Sequence, residues 1–181
     1  MKRLLLGAGL VWLGQRALAG HLPRFQLYSH SFEAGRTIGS PQVFDSWGCT
    51  GGNRSPHLAW SEPPPETESL AVTCFDPDAP TGSGWWHWLA FNLPADLRSL
   101  PENASAEGLP GGAVQARNDY GLTGYGGPCP PEGDPPHRYI FTVWALDAAI
   151  ELGLDANGAQ VGFNVRQKAV GKAVTVGRYG R

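Results

Sequence analysis

Two short runs place imidazole, carboxylate and phenol groups where they can do chemistry. The first, Asp76 to Asn92 (DPDAPTGSGWWHWLAFN), sets Asp76 and Asp78 in a proline turn and His87 among tryptophans. The second, Gly126 to Leu146 (GGPCPPEGDPPHRYIFTVWAL), sets His137, Arg138 and Tyr139 behind a proline-rich loop. Histidine and tyrosine can donate hydrogen bonds to the oxygens of an anion, and N–H groups of the Gly127 to Gly133 loop can add to them. Asp76 can fix a histidine tautomer or meet an ammonium group. Several donors with one carboxylate suit a phosphate joined to an ethanolamine. Other chemistries draw on the same residues. His87, His137 and Asp76, with His57, are candidate zinc ligands for a hydrolase, although no H-E-x-x-H spacing supports them. A serine hydrolase lacks its G-x-S-x-G motif, since Gly82-Ser83-Gly84 reads as a turn. The tryptophans also suit a sugar-binding module, and His87 can equally be a neutral core residue.

The surrounding pattern says which elements hold these groups. Leu70 to Phe75 reads as an apolar, β-branched strand, ended by Pro77 and Pro80. Trp85 to Phe91 starts a second strand. Period two puts Trp85, His87 and Leu89 on one face and Trp86, Trp88 and Ala90 on the other. Arg138 to Leu146 is a third strand, with His137 and Tyr139 on one side at its start and Arg138 on the other. If the strands are neighbours, Asp76, His87, His137 and Tyr139 converge on a small concave site. Leu58-Ala59-Trp60, Val114 to Arg117 and Lys172 to Val176 are further strand candidates. Leu97 to Gly112 reads as a surface loop and Ala148 to Leu152 as a helical turn. A helix over about Ala159 to Ala169 follows an N-cap near Asp155, with Val161, Val165 and Ala169 facing inward.

Composition bounds the class. A chain of 181 residues with 41% hydrophobic and 17% charged content can bury a core of its own. Its 25 glycines and 16 prolines point to many turns and a β-rich fold. A net charge of −2 gives no support for nucleic acid or an anionic membrane surface as partner. Lys2-Arg3, the apolar run Leu4 to Leu13 and Ala17-Leu18-Ala19 read as a bacterial signal peptide over residues 1–19, cleaved before Gly20. That reading leaves a single domain over 20–181, no transmembrane segment, and a periplasmic or secreted location. The apolar run is too short to span a bilayer. Export permits disulfides. Cys49 and Cys129 lie in glycine-rich loops and are expected to pair, the alternative being two free thiols, whereas Cys74 lies inside a strand as a buried hydrophobe.

Asp76 to Pro80, Trp85 to Trp88, Pro130-Pro131 with Gly133, His137-Arg138-Tyr139 and the run Gly177 to Arg181, together with Ser55 to Trp60, resemble the phosphatidylethanolamine-binding protein family in its bacterial Raf-kinase-inhibitor-like branch. The resemblance spans about Phe44 to Arg181. It implies a mainly β fold, with a large antiparallel central sheet, a smaller second sheet, short peripheral helices and one longer helix near the end. It implies an anion pocket built from Asp76, Pro80, Trp85, His87, Pro130, Pro131, His137 and Tyr139, with the segment before His137 helping to line it. It implies a binding protein rather than an enzyme, with no cofactor, and a possible regulatory protein partner such as a kinase, for which the residues themselves give no support. The sequence departs from the family at Cys129, often glycine, at Lys168, a histidine in some bacterial relatives, and at Trp86, where animal members often carry a second histidine.

Overall fold

The computed structural model describes residues 25–181. The expected signal peptide at 1–19 lies outside the described residues. In chain order the elements are β1 (Leu27–Tyr28), β2 (Leu58–Trp60), β3 (Ser69–Asp76), β4 (Trp85–Pro94), β5 (Ser99–Leu100), α1 (Ala104–Glu107), β6 (Val114–Gln115), β7 (His137–Leu146), α2 (Gly158–Lys168) and β8 (Ala169–Tyr179). All pairings between strands are antiparallel and form two sheets, ordered β1-β2-β5 and β6-β4-β3-β7-β8. The fold is therefore mainly β with two antiparallel sheets and few helices.

β3 is the centre of the larger sheet, and nearly every residue in it is buried. Its Leu-Ala-Val-Thr-Cys run has no alternation because apolar layers cover both faces. On one face Leu70, Val72 and Cys74 join Tyr139, Phe141 and Val143 and pack against Leu27, Leu58, Trp60 and Leu100 of the small sheet. On the other face Ala71, Leu89 and Phe91 pack against Val161 and Val165 of α2, with Ile150 and Ala156. The first core ends, at one edge of the sheet, where Asp76, His87 and His137 replace apolar residues.

One register detail decides which side chains reach that end. Cys74 pairs with Trp88 but Phe75 pairs with Trp86, so His87 is the extra residue of a β-bulge. Trp85 and His87 share a face, as period two predicts. Beyond the bulge the alternation slips by one residue. Trp88 and Ala90 join the core on His87's side, and Leu89 joins the α2 side, opposite to the expectation. Strict alternation holds only in an unbroken ladder.

Three other expectations change. The segment from Leu97 to Gly112 holds β5, α1 and a 3-10 turn at Pro110–Gly112, rather than loop alone. Ala148 to Leu152 is not helical. There Ile150 donates its N–H to Asn92 Oδ1 at 2.8 Å and accepts from Asn92 Nδ2 at 3.0 Å, so one side chain satisfies the backbone that a helical turn would have. The cap of α2 is Asn157, not the region of Asp155. Asn157 Oδ1 accepts from Gln160 N–H and Gln160 Oε1 accepts from Asn157 N–H, both at 3.0 Å. This reciprocal box satisfies two end groups at once, which a lone aspartate two residues earlier does not.

Candidate functional site

The site begins with the proline turn after β3. Asp76 is 3% exposed. Its Oδ1 accepts from Asp78 N–H at 2.8 Å, which closes the turn, and its Oδ2 lies 2.8 Å from His137 Nδ1. Asp78 points outward and holds Arg138: Nε and Nη2 of the guanidinium lie 2.8 and 2.6 Å from its two oxygens. The Arg138 hydrogen bonds hold the Asp78 carboxyl down at about 2. Arg138 therefore anchors the turn to β7 from the far side, while its neighbours His137 and Tyr139 face inward, as strand alternation requires. His137 Nε2 also lies 3.5 Å from Asp134 Oδ2, so the ring sits between two carboxylates.

β4 supplies the opposite wall. The His87 ring is buried, with Nδ1 2.7 Å from the Gly126 carbonyl oxygen. That oxygen can only accept, so Nδ1 carries the proton and Nε2 does not. Burial lowers the pKa of the ring to about 4. Gly126 N–H donates back to His87 O at 2.8 Å, and Asn118 Nδ2 donates to Gly124 O at 3.0 Å. These bonds fold the segment from Asn118 to Gly127 over the end of the sheet. Tyr120 rides on it, stacked on Phe44 at 4.1 Å and edge-on to His87 at 5.4 Å. Gly127 is required here: a Cβ would stand 2.1 Å from Gln42 O.

The rim is cross-linked. Cys49 and Cys129 form a disulfide across 80 residues of sequence, and Cys74 is free and buried. Arg181 joins the same two loops, donating from Nε to Pro130 O at 2.8 Å and from Nη1 to Gly48 O at 3.1 Å.

Together these elements enclose a cavity of about 260 Å³. Asp76, Pro80, Trp85, His87, Pro130, Pro131, His137 and Tyr139 all line it. Ala79, Thr81, Trp47, Tyr120, Cys129 and Arg181 line it as well. Of these, Tyr120 lies in the segment that the family resemblance brings to the pocket. Trp47 and Arg181 carry no local signal. Trp47 stands on a left-handed turn (φ 55°), 61% exposed and edge-on to Trp85 at 6.0 Å. Two polar atoms on the wall, Trp85 Nε1 and Tyr139 Oη, are buried with no hydrogen-bond partner among the described residues. Burial and the nearby Asp76 push the Tyr139 phenol well above its ordinary range, so it stays protonated.

The zinc reading finds no support. Among the described residues no group of three histidine, cysteine, aspartate or glutamate side chains is arranged to hold a metal. His87 Nδ1 is committed to Gly126 and His137 Nδ1 to Asp76. His57, the proposed extra ligand, is absent from the cavity lining. Its Nδ1 accepts from His30 N–H at 3.2 Å, and its ring packs on that of His30 at 4.5 Å.

A sequence model described as that of the phosphatidylethanolamine-binding protein matches residues 28–180. The chain belongs to the phosphatidylethanolamine-binding protein family. Its sequence is 45% identical to the UPF0098 protein YbcL of Escherichia coli K12 over 177 residues, covering 96% of this chain and 95% of YbcL. The crystal structure of YbcL, described as a new member of the mammalian family, superposes with a TM-score of 0.85 over 87% of this chain and 99% of that one. UPF0098 protein YbhB of the same organism is 49% identical over 151 residues, 82% of this chain and 95% of YbhB. Another relative, described as putative lipoprotein LppC of Mycobacterium tuberculosis, is 35% identical over 149 residues, 79% of this chain and 71% of LppC. That relative and the disulfide point to an extracytoplasmic protein. No helix among the described residues is long and apolar enough to cross a membrane.

Proposed function

We propose that this family member is an exported binding protein, released to the periplasm or exterior after removal of residues 1–19. It holds a small phosphorylated or otherwise anionic ligand, such as phosphate or a phosphoethanolamine head group, in a preformed cavity. The observation that carries the reading is the pair of buried, unpartnered groups, Trp85 Nε1 and Tyr139 Oη, on the wall of one cavity. A buried donor without a partner costs about 1–3 kcal/mol, and such groups in a folded protein call for an explanation. A bound oxyanion satisfies both. The apolar walls from Pro80, Pro130, Pro131 and Tyr120 exclude water and strengthen those bonds. The Asp76–His137 pair stands beside them, able to meet an ammonium group through the carboxylate or an anion through the protonated ring. The family's description names phosphatidylethanolamine, which supports the same head-group chemistry. Binding rather than turnover is proposed, because no serine, cysteine or metal nucleophile is recognised beside these groups.

Native mass spectrometry of the mature chain with added phosphoethanolamine tests this. An adduct of phosphoethanolamine mass that survives chelator and weakens in His137→Ala supports the reading. A chelator-sensitive metal adduct, or none at all, overturns it.

A further inference from the structure

The polar atoms around the cavity are of unequal kinds, and this restricts what can occupy it. Trp85 Nε1 can only donate, and Tyr139 Oη can donate or accept. Both are buried without a partner among the described residues. His87 is different. Its Nδ1 proton is fixed on the Gly126 carbonyl oxygen at 2.7 Å, so the ring offers its lone pair at Nε2 to any further partner. The ring is 2% exposed and lines the cavity. Burial disfavours a second proton on it. Asp76 adds acceptor oxygens only, both already engaged, by Asp78 N–H and by His137. A sulfate or a phosphate dianion would suit Trp85. It would also set an oxygen lone pair against His87 Nε2 and place two negative charges near a carboxylate. A phosphoryl group that keeps one proton supplies the missing donor and carries one charge fewer.

We infer that the cavity selects a singly protonated phosphoryl group, that of inorganic phosphate or of a phosphomonoester. His87 Nε2 accepts its P–O–H hydrogen bond, and Trp85 Nε1 and Tyr139 Oη donate to its other oxygens. This rests on the anion-binding reading above and makes it more specific. The titratable groups facing His87 are Asp76 from β3, His137 and Tyr139 from β7, and Tyr120 from the overlying segment. Any change of charge on these acts on every bound anion alike, so a comparison of two anions of one shape isolates the ligand's own proton.

Methyl phosphate and methyl sulfate form that pair. Below about pH 6 both are singly charged, and they differ by one proton. Isothermal titration calorimetry of the mature chain at pH 5.5 is expected to show methyl phosphate binding at least about tenfold tighter. The advantage should shrink by roughly tenfold per pH unit above about pH 6, as the phosphate loses its proton. Inorganic phosphate and phosphoethanolamine run alongside separate the two sources; whichever is tighter, with the same pH dependence, supports the inference and names its source. Equal affinities, or a ratio that does not move with pH, overturn the inference and leave the anion-binding reading standing. No binding of any of the four overturns both.

Discussion

Burial disfavours the imidazolium of His87, whose Nδ1–H is already committed to the Gly126 carbonyl, and holds its pKa at about 4. In an unfolded chain the same ring titrates near about 6.5. Between those values the unfolded state binds more protons, so stability rises with pH across that window and is lost as pH falls through it. Urea unfolding of the wild type at pH 7 and pH 5 should show a loss on the order of 1–2 kcal/mol at the lower pH. The loss should be smaller in His87→Gln, which has no imidazole to protonate. Sequence reasoning reached most of the cavity because its residues sit in contiguous runs. Asp76, Pro80, Trp85 and His87 fall within twelve positions, as do Pro130, Pro131, His137 and Tyr139. Trp47 and Arg181 were not legible. They arrive from distant loops, and only the Cys49–Cys129 link and the Pro130 and Gly48 carbonyls bring them to the rim.

The strands themselves were readable because they are apolar, β-branched and bounded by proline and glycine. Leu70 to Phe75 lies within β3, and Arg138 to Leu146 within β7. The bulge at His87 was not readable, since a single inserted residue leaves the composition of the run unchanged and alters only its pairing. It matters to the site, because it lets Trp85, His87 and Trp88 lie on one side of the sheet. On the other side the fit of α2 is set by a glycine that no periodicity marks. A Cβ at Gly158 would stand 2.1 Å from Trp86 Cδ1. Gly158→Ala is therefore expected to destabilise the fold by about 1–3 kcal/mol through overpacking, even though alanine is the better helix former. Urea denaturation checks this. An unchanged midpoint would mean that α2 shifts freely on Trp86. The short elements between Leu97 and Gly112 were missed for a related reason. β5 has two residues and α1 four, too few to show any period, and tertiary pairing with β2 creates the strand.

At the scale of the whole molecule, the two cores fix a sheet whose one end is left for polar groups, and the disulfide and Arg181 close the loops over that end. In the chain-entropy picture a cross-link over 80 residues contributes about 4 kcal/mol. The Cys49→Ser/Cys129→Ser double variant should lose about 2–4 kcal/mol in urea unfolding. It should also bind phosphoethanolamine more weakly than the wild type does, because Cys129, Pro130 and Trp47 line the cavity. A variant that loses stability but keeps full affinity would show that the link serves the fold and not the cavity. The central claim is that the unpartnered buried donors exist for a ligand. It is tested most directly by calorimetric titration of phosphoethanolamine into the wild type and into Tyr139→Phe. The variant removes only an oxygen that the folded chain leaves unbonded, so it should unfold at the same or higher urea concentration. It should nevertheless bind about five- to tenfold more weakly, the effect of one lost hydrogen bond to a charged group. A Tyr139→Phe protein that is equally stable and binds as tightly as the wild type would contradict the account.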